Sequence, residues 1–291
     1  MSILVATDLS DHSRDALRWA SALAASRKVP LLVCHVIEAV QDDELWTALF
    51  ETPEEIEDRV LKGATARTRD FAQNTLTDTP QPEERKILVS VGAAAEEINR
   101  FATHHGAGLI VAGTTGHGAL RNALFGSTAR RLTHESRLPT VFVPPGSPIP
   151  PVRRLVVALD LGGSSDEALR WAAKTATEWG SKVVAVHGLG VSALSPDYEP
   201  TANFVPIVDA IVEQREIELR RRLTEVGLEG DVVVARTSAA EAVLDCAEQT
   251  DADLIVMGTH GRGVLGRLVL GSVANRVLRN TRCPVATIHP S

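Results

Sequence analysis

Apolar residues along this chain gather in short runs, among them "ILVA", "LLVCHVI", "LIVA" and "LVVAL", and elsewhere they recur every third or fourth position among charged residues. Consecutive apolar positions mark strands covered on both faces, and the wider spacing marks amphipathic helices. Strands are predicted near 2–7, 30–37, 85–91, 108–113 and 139–143, then near 153–159, 181–187, 231–235, 253–258 and 284–288. Helices fill the gaps, with "IVDAIVEQREIELRRRLTEVG" a long one between the second and third strands of the second set. The long connections "DDELWTALFETPEE" and "LGVSALSPDYEPTANF" read either as lids and contact surfaces or as plain solvent-facing loops.

The pattern occurs twice. "ILVATDLSDHSRDALRWA" from Ile3 and "LVVALDLGGSSDEALRWA" from Leu155 share Asp8 with Asp160, Ser13 with Ser165, and the pentapeptide "ALRWA" in the same register. Trp19 and Trp171 in that pentapeptide are expected to pack the first helix of each half against its sheet. Between the halves, "PPGSPIPPVRR" carries prolines at 144, 145, 148, 150 and 151, which forbid a helix and favour an extended connector. The fold class is therefore α/β, with two tandem doubly wound domains over residues 1–146 and 152–291. Each is expected to be a five-stranded parallel sheet with helices on both faces.

Glycine is concentrated after the fourth strand of each half. "GRGVLG", from Gly261 to Gly266, satisfies the dinucleotide fingerprint, but no Asp or Glu follows Asp253 to meet a ribose, and Arg121 breaks the same pattern in the first half. A nicotinamide cofactor is not expected. Both halves keep a longer spacing: Gly113, Gly116, Gly126 and Ser127 are matched by Gly258, Gly261, Gly271 and Ser272. Two permissive positions at a strand end, followed by Gly-Ser at a helix start, turn main-chain N–H groups toward one point and form a cradle for phosphate.

Composition narrows the setting. A net charge of −7, from 37 acidic against 30 basic residues, disfavours a nucleic acid partner. No apolar stretch reaches the ~18 residues of a membrane span, and no leader precedes "ILVATD", so no membrane partner and a cytoplasmic location are expected. Cys34, Cys246 and Cys283 are an odd number, far apart and in apolar surroundings, which argues for reduced packing residues.

With these motifs in hand, the sequence resembles a tandem universal stress protein of the ATP-binding branch, two copies of the domain covering nearly the whole chain. The resemblance implies an adenine nucleotide alpha hydrolase-like fold and ATP, with or without magnesium, as the ligand of each half. It implies that Asp8 and Asp160 lie near the nucleoside, bordered by Ala6, Thr7, Ala158 and Leu159. Val36 matches a residue lining the adenine pocket, whereas Gly188 stands there in the second half and thins that wall. Met257, Gly258, His260 and Gly261 match the turn that meets ribose and phosphates, and Gly271, Ser272 and Val273 the phosphate-holding helix start. Their first-half counterparts are Ala112, Gly113, Thr115, Gly116, Gly126, Ser127 and Thr128, with Thr115 where the family commonly has His. Related single domains pair through the last strand, which implies intramolecular pairing of the two domains, or a homodimer. The downstream protein partner is not read from the sequence.

Plainer readings stand beside these. Asp8 and Asp160 could cap the helices that follow, and Ser127 and Ser272 could be ordinary N-caps. His104, His105, His117 and His260 are expected to face solvent, as are most arginines after the glycine turns. No catalytic residue or metal ligand is assigned, because the phosphate-loop lysine motif and any spaced triad or carboxylate pair are missing. The leading expectation is a nucleotide-dependent regulator in stress response. Its rivals are a metal-assisted ATP hydrolase or nucleotide-transfer enzyme, with Asp8 or Asp160 holding the metal, and a scaffold with vestigial pockets.

Overall fold

A computed structural model describes residues 1–38, 53–116, 125–162, 165–190, 204–259 and 270–289. His117, His260, Gly261, Arg121, Arg262, Arg267 and most of the two long connections lie outside the described residues. The chain divides into two compact units, Met1–Pro150 and Pro151–Ser291.

The first unit runs β1 (Ser2–Ala6), α1 (Arg14–Arg27), β2 (Leu31–Ile37), α2 (Pro53–Thr75), β3 (Arg85–Val91), α3 (Ala94–His104), β4 (Ala107–Gly113), α4 (Ser127–Glu135) and β5 (Thr140–Val143). A short 3-10 turn, Asp11–Ser13, leads into α1. Its strands lie in the order β3-β2-β1-β4-β5, all parallel, with Val5 level with Val33 on one side and Val111 on the other. The second unit repeats the plan with β6 (Arg154–Ala158), α5 (Asp166–Trp179), β7 (Lys182–Gly188), α6 (Phe204–Glu225), β8 (Gly230–Ala235), α7 (Ala239–Gln249), β9 (Leu254–Gly258), α8 (Ser272–Asn280) and β10 (Val285–Ile288). Its order is β10-β9-β6-β7-β8, again parallel. Every strand read from the apolar runs is present, with its ends moved by no more than one residue.

Continuous apolar strands are needed because helices cover both faces of each sheet. In the first unit α1 meets α2, and α3 meets α4; in the second, α7 packs along β7 and against α8, while α6 lies over β8 and β7. Leu4, Val5, Leu31, Ile110 and Phe142 in the first core, and Leu155, Leu254 and Ile255 in the second, are sealed from solvent. Each such side chain contributes about 1.5–3 kcal/mol relative to exposure. Trp19 packs at 1% exposure, as expected of it, whereas Trp171 is only half-buried and stands edge-on to Trp179.

The strand order fixes where a ligand can sit. Chain direction across each sheet reverses between the first strand and the fourth, so their carboxyl ends part and leave a crevice. In the first unit that gap separates the ends of β1 and β4, and in the second those of β6 and β9.

Candidate functional site

Each crevice opens into a cleft, of about 600 Å³ in the first unit and about 520 Å³ in the second. All eleven residues singled out in the first half line the first cleft: Ala6, Thr7, Asp8, Val36, Ala112, Gly113, Thr115, Gly116, Gly126, Ser127 and Thr128. Ala158, Leu159, Asp160, Met257, Gly258, Gly271, Ser272 and Val273 line the second.

Asp8 follows β1, and the next residue, Leu9, turns into the left-handed region at φ 64°. That reversal brings the Ser10 N–H within 3.0 Å and the Ser10 hydroxyl within 2.6 Å of Asp8 Oδ1, to which both donate. Leu161 does the same at φ 58°, and Asp160 Oδ1 accepts from the Gly162 N–H at 2.9 Å and the Ser165 hydroxyl at 2.7 Å. The aspartates are thus not helix caps. The residues preceding α1 and α5 are Ser13 and Ser165, and each aspartate instead ties a tight turn at the cleft. In the second unit Arg222, reaching across from α6, donates to the Leu161 carbonyl at 2.9 Å and pairs with Asp166 at 2.9 Å, bracing the turn.

Behind each aspartate sits a histidine that the sequence reading passed over. His35 Nδ1 lies 2.9 Å from the Thr7 carbonyl, and His187 Nδ1 2.7 Å from that of Leu159. A carbonyl can only accept, so Nδ1 carries the proton in both rings. These bonds hold the peptide before each aspartate. Their identical placement on β2 and β7 was the available signal.

Across the cleft, the Gly126 N–H donates to the Thr114 carbonyl at 2.8 Å and the Gly271 N–H to that of Thr259 at 2.9 Å. These bonds set the starts of α4 and α8. Gly126 and Gly271 are themselves the N-caps, and neither helix has a side-chain cap. Ser127 and Ser272 are the first helical residues, not the caps expected as their plain reading. A glycine cap supplies no acceptor, which leaves the first-turn N–H groups of α4 and α8 to face the cleft that Ser127, Thr128, Ala129, Ser272, Val273 and Ala274 line. The positive end of each helix reinforces attraction for an anion there.

Gly116 sits directly against the aspartate. A Cβ at this position would come within 2.7 Å of Asp8 Oδ2, so the glycine turn and the carboxylate lie in contact. Beside it, Thr115 Oγ1 is buried with no hydrogen-bond partner among the described residues.

Gly188 does not thin its wall. A Cβ there would fall 2.6 Å from Ala239 Cα and 2.8 Å from Ala239 N, so the first turn of α7 occupies the space a side chain would take. Cys34 also lines the first cleft; burial pushes its thiol up to about 12. The arginines after the glycine turns face outward where described: Arg131 pairs with Glu96 and Glu135, and Arg276 with Glu241. Among the described residues no cluster of three or more His, Cys, Asp or Glu side chains could hold a metal ion.

Comparison with known proteins agrees with the repeat. The family model described as the Universal stress protein family matches residues 1–144 and 151–289. A universal stress protein of Mycolicibacterium smegmatis is 30% identical over 297 aligned positions, covering 99% of this chain and 97% of its own length. One from Mycobacterium tuberculosis is 28% identical over 302 positions, with coverage of 99% and 97%. Among solved structures, a universal stress protein from Archaeoglobus fulgidus has a TM-score of 0.64 at 20% identity, covering 100% of this chain and 96% of that one, a likeness of fold.

Proposed function

This chain belongs to the universal stress protein family, and we propose that each of its two clefts binds ATP, making it a nucleotide-dependent regulator in stress response with little or no hydrolysis. One observation carries the reading. In both units a strand-end aspartate, a glycine-bearing strand end and a Gly-Ser helix start without a side-chain cap line one cleft. The residues fit such a ligand. Main-chain N–H groups of Ser127 and Thr128, and of Ser272 and Val273, would hold phosphate oxygens. Asp8 and Asp160 offer carboxylate acceptors to ribose hydroxyls, and the unpartnered Thr115 hydroxyl adds a donor or acceptor in the first cleft. Val36 on one side, and the backbone filling the place beside Gly188 on the other, would border the base.

The energetics are sufficient. A micromolar site corresponds to about −8.2 kcal/mol. Charge-assisted hydrogen bonds at ~1.5–3 kcal/mol each reach that with about three to six contacts, before ordering costs. Ligand at 100 times its dissociation constant stabilises a unit by about 2.7 kcal/mol.

The test is calorimetric titration of the full chain with ATP, with and without magnesium. Two sites are expected, and Ser127→Asp and Ser272→Asp should each remove one. A carboxylate in the first turn of a helix favours the helix while repelling phosphate, so both variants should keep or exceed the parent's thermal stability. A double variant that still binds ATP like the parent refutes the reading. Steady-state phosphate release with magnesium separates the regulator from the hydrolase rival.

A further inference from the structure

The two clefts share a plan but differ at one end. In the second unit β9, with Gly258 at its end, lies on one side of β6, and β7 lies on the other. An occupant whose anionic tail rests against α8 therefore has its opposite end over β7, beside α6. That end is lined by Gly188, Val208, Ile211 and Arg215. Val208, Ile211 and Arg215 follow at spacings of three and four, on one face of α6. Helical side chains lean toward the helix N-terminus, and α6 starts at the carboxyl edge of the sheet, so Arg215 extends toward the cleft.

Arg215 is the cation of this wall. Its helix neighbours Arg221 and Arg222 are engaged with Glu218, whereas Arg215 has no ion pair among the described residues. Among the described residues the first cleft has no such cation in its lining. Counting in step from the buried pairs Thr68 with Leu219 and Ala72 with Leu223, the matching position on α2 is Ala64, which is sealed in the core.

We infer that Arg215 reads the base edge of a nucleotide in the second cleft and makes that cleft selective for 6-oxopurines, guanine or hypoxanthine, over adenine. The inference rests on the nucleotide reading above. Guanine and hypoxanthine present O6 and N7, two adjacent acceptors that match the parallel N–H donors of a guanidinium. Adenine replaces O6 with an amino group, so a donor meets a donor. Val208, buried on the same wall, supplies an apolar surface beside Arg215.

The full chain carrying Ser127→Asp, with its first cleft closed to phosphate, is titrated calorimetrically with GTP, ITP and ATP. GTP and ITP should bind about tenfold more tightly than ATP, the discrimination of one bidentate arginine contact. The chain carrying Ser272→Asp, which reports the first cleft, should show no such preference. Arg215→Met in the Ser127→Asp background keeps the aliphatic stem and removes the donors, and should erase the difference. Equal affinity for the three nucleotides, or a preference that survives Arg215→Met, overturns the assignment and leaves nucleotide binding standing. Heat from none of the three overturns both.

Discussion

Leu9 and Leu161 hold φ values of 64° and 58°, the region that disfavours residues with a Cβ. A leucine held there costs on the order of 1–2 kcal/mol, and the same cost appears at the same step in both units, directly after the strand-end aspartate. It is offset by the turn that it permits, in which Asp8 gathers the N–H and hydroxyl of Ser10. A β-branched side chain tolerates this backbone less well than leucine. Leu9→Val should therefore lower stability by about 1–2 kcal/mol in urea unfolding, and an unchanged midpoint would show the turn to be unstrained. None of this was legible in "ATDLS" or "ALDLG", because leucine carries no sign of its backbone angle. Arg215 was equally hidden: in "EQREIELRRR" one arginine resembles the next, and only the packing of α6 decides which one meets a cleft.

At the scale of elements, the strands were readable because both sheet faces are covered, which demands unbroken apolar runs. Helix starts were less so. Serine beside glycine suggested a serine cap at 127 and 272, but glycine is itself an acceptable cap and holds that position in both units. The paired helices α3 and α7 show what a true cap adds. Ser238 before α7 accepts from the Glu241 N–H, and the Glu241 side chain returns to the Ser238 N–H, a complete capping box. Ala93 occupies the same place before α3, with extended backbone at ψ 118° and Glu96 three residues on, yet no side-chain cap. Ala93→Ser should complete the box and raise the stability of the first unit by about 1 kcal/mol. Thermal unfolding followed by circular dichroism checks it. Glu96 pairs with Arg131 on α4 and Glu241 with Arg276 on α8, so the carboxylate at this position also steadies the helix whose start faces a cleft.

For the molecule as a whole, the doubling of the motif was the strongest signal in the sequence, since a spacing found twice in one chain has its own internal control. What it left out were contacts made by distant parts of the fold, such as Gly188 against Ala239 and His35 against Thr7. The cysteines report on both units. Burial raises the thiols of Cys34 and Cys283 to about 12 and that of Cys246 to about 11, from an ordinary value of 9.0. A thiol held neutral in the fold but free to ionise when unfolded stabilises the native state below pH 9, and that stability is lost as pH rises from there toward 12. A thiol-reactive dye at pH 8 should accordingly label all three slowly in native protein and quickly in denaturant. Rapid native labelling of Cys34 would mean that its cleft opens to the core. Every described residue lining a cleft comes from that cleft's own unit, Ala6 to Ala129 in one and Ala158 to Ala274 in the other. Inheritance can therefore retune one cleft while its sibling is kept as it was, so a single gene can carry two pockets that diverge independently.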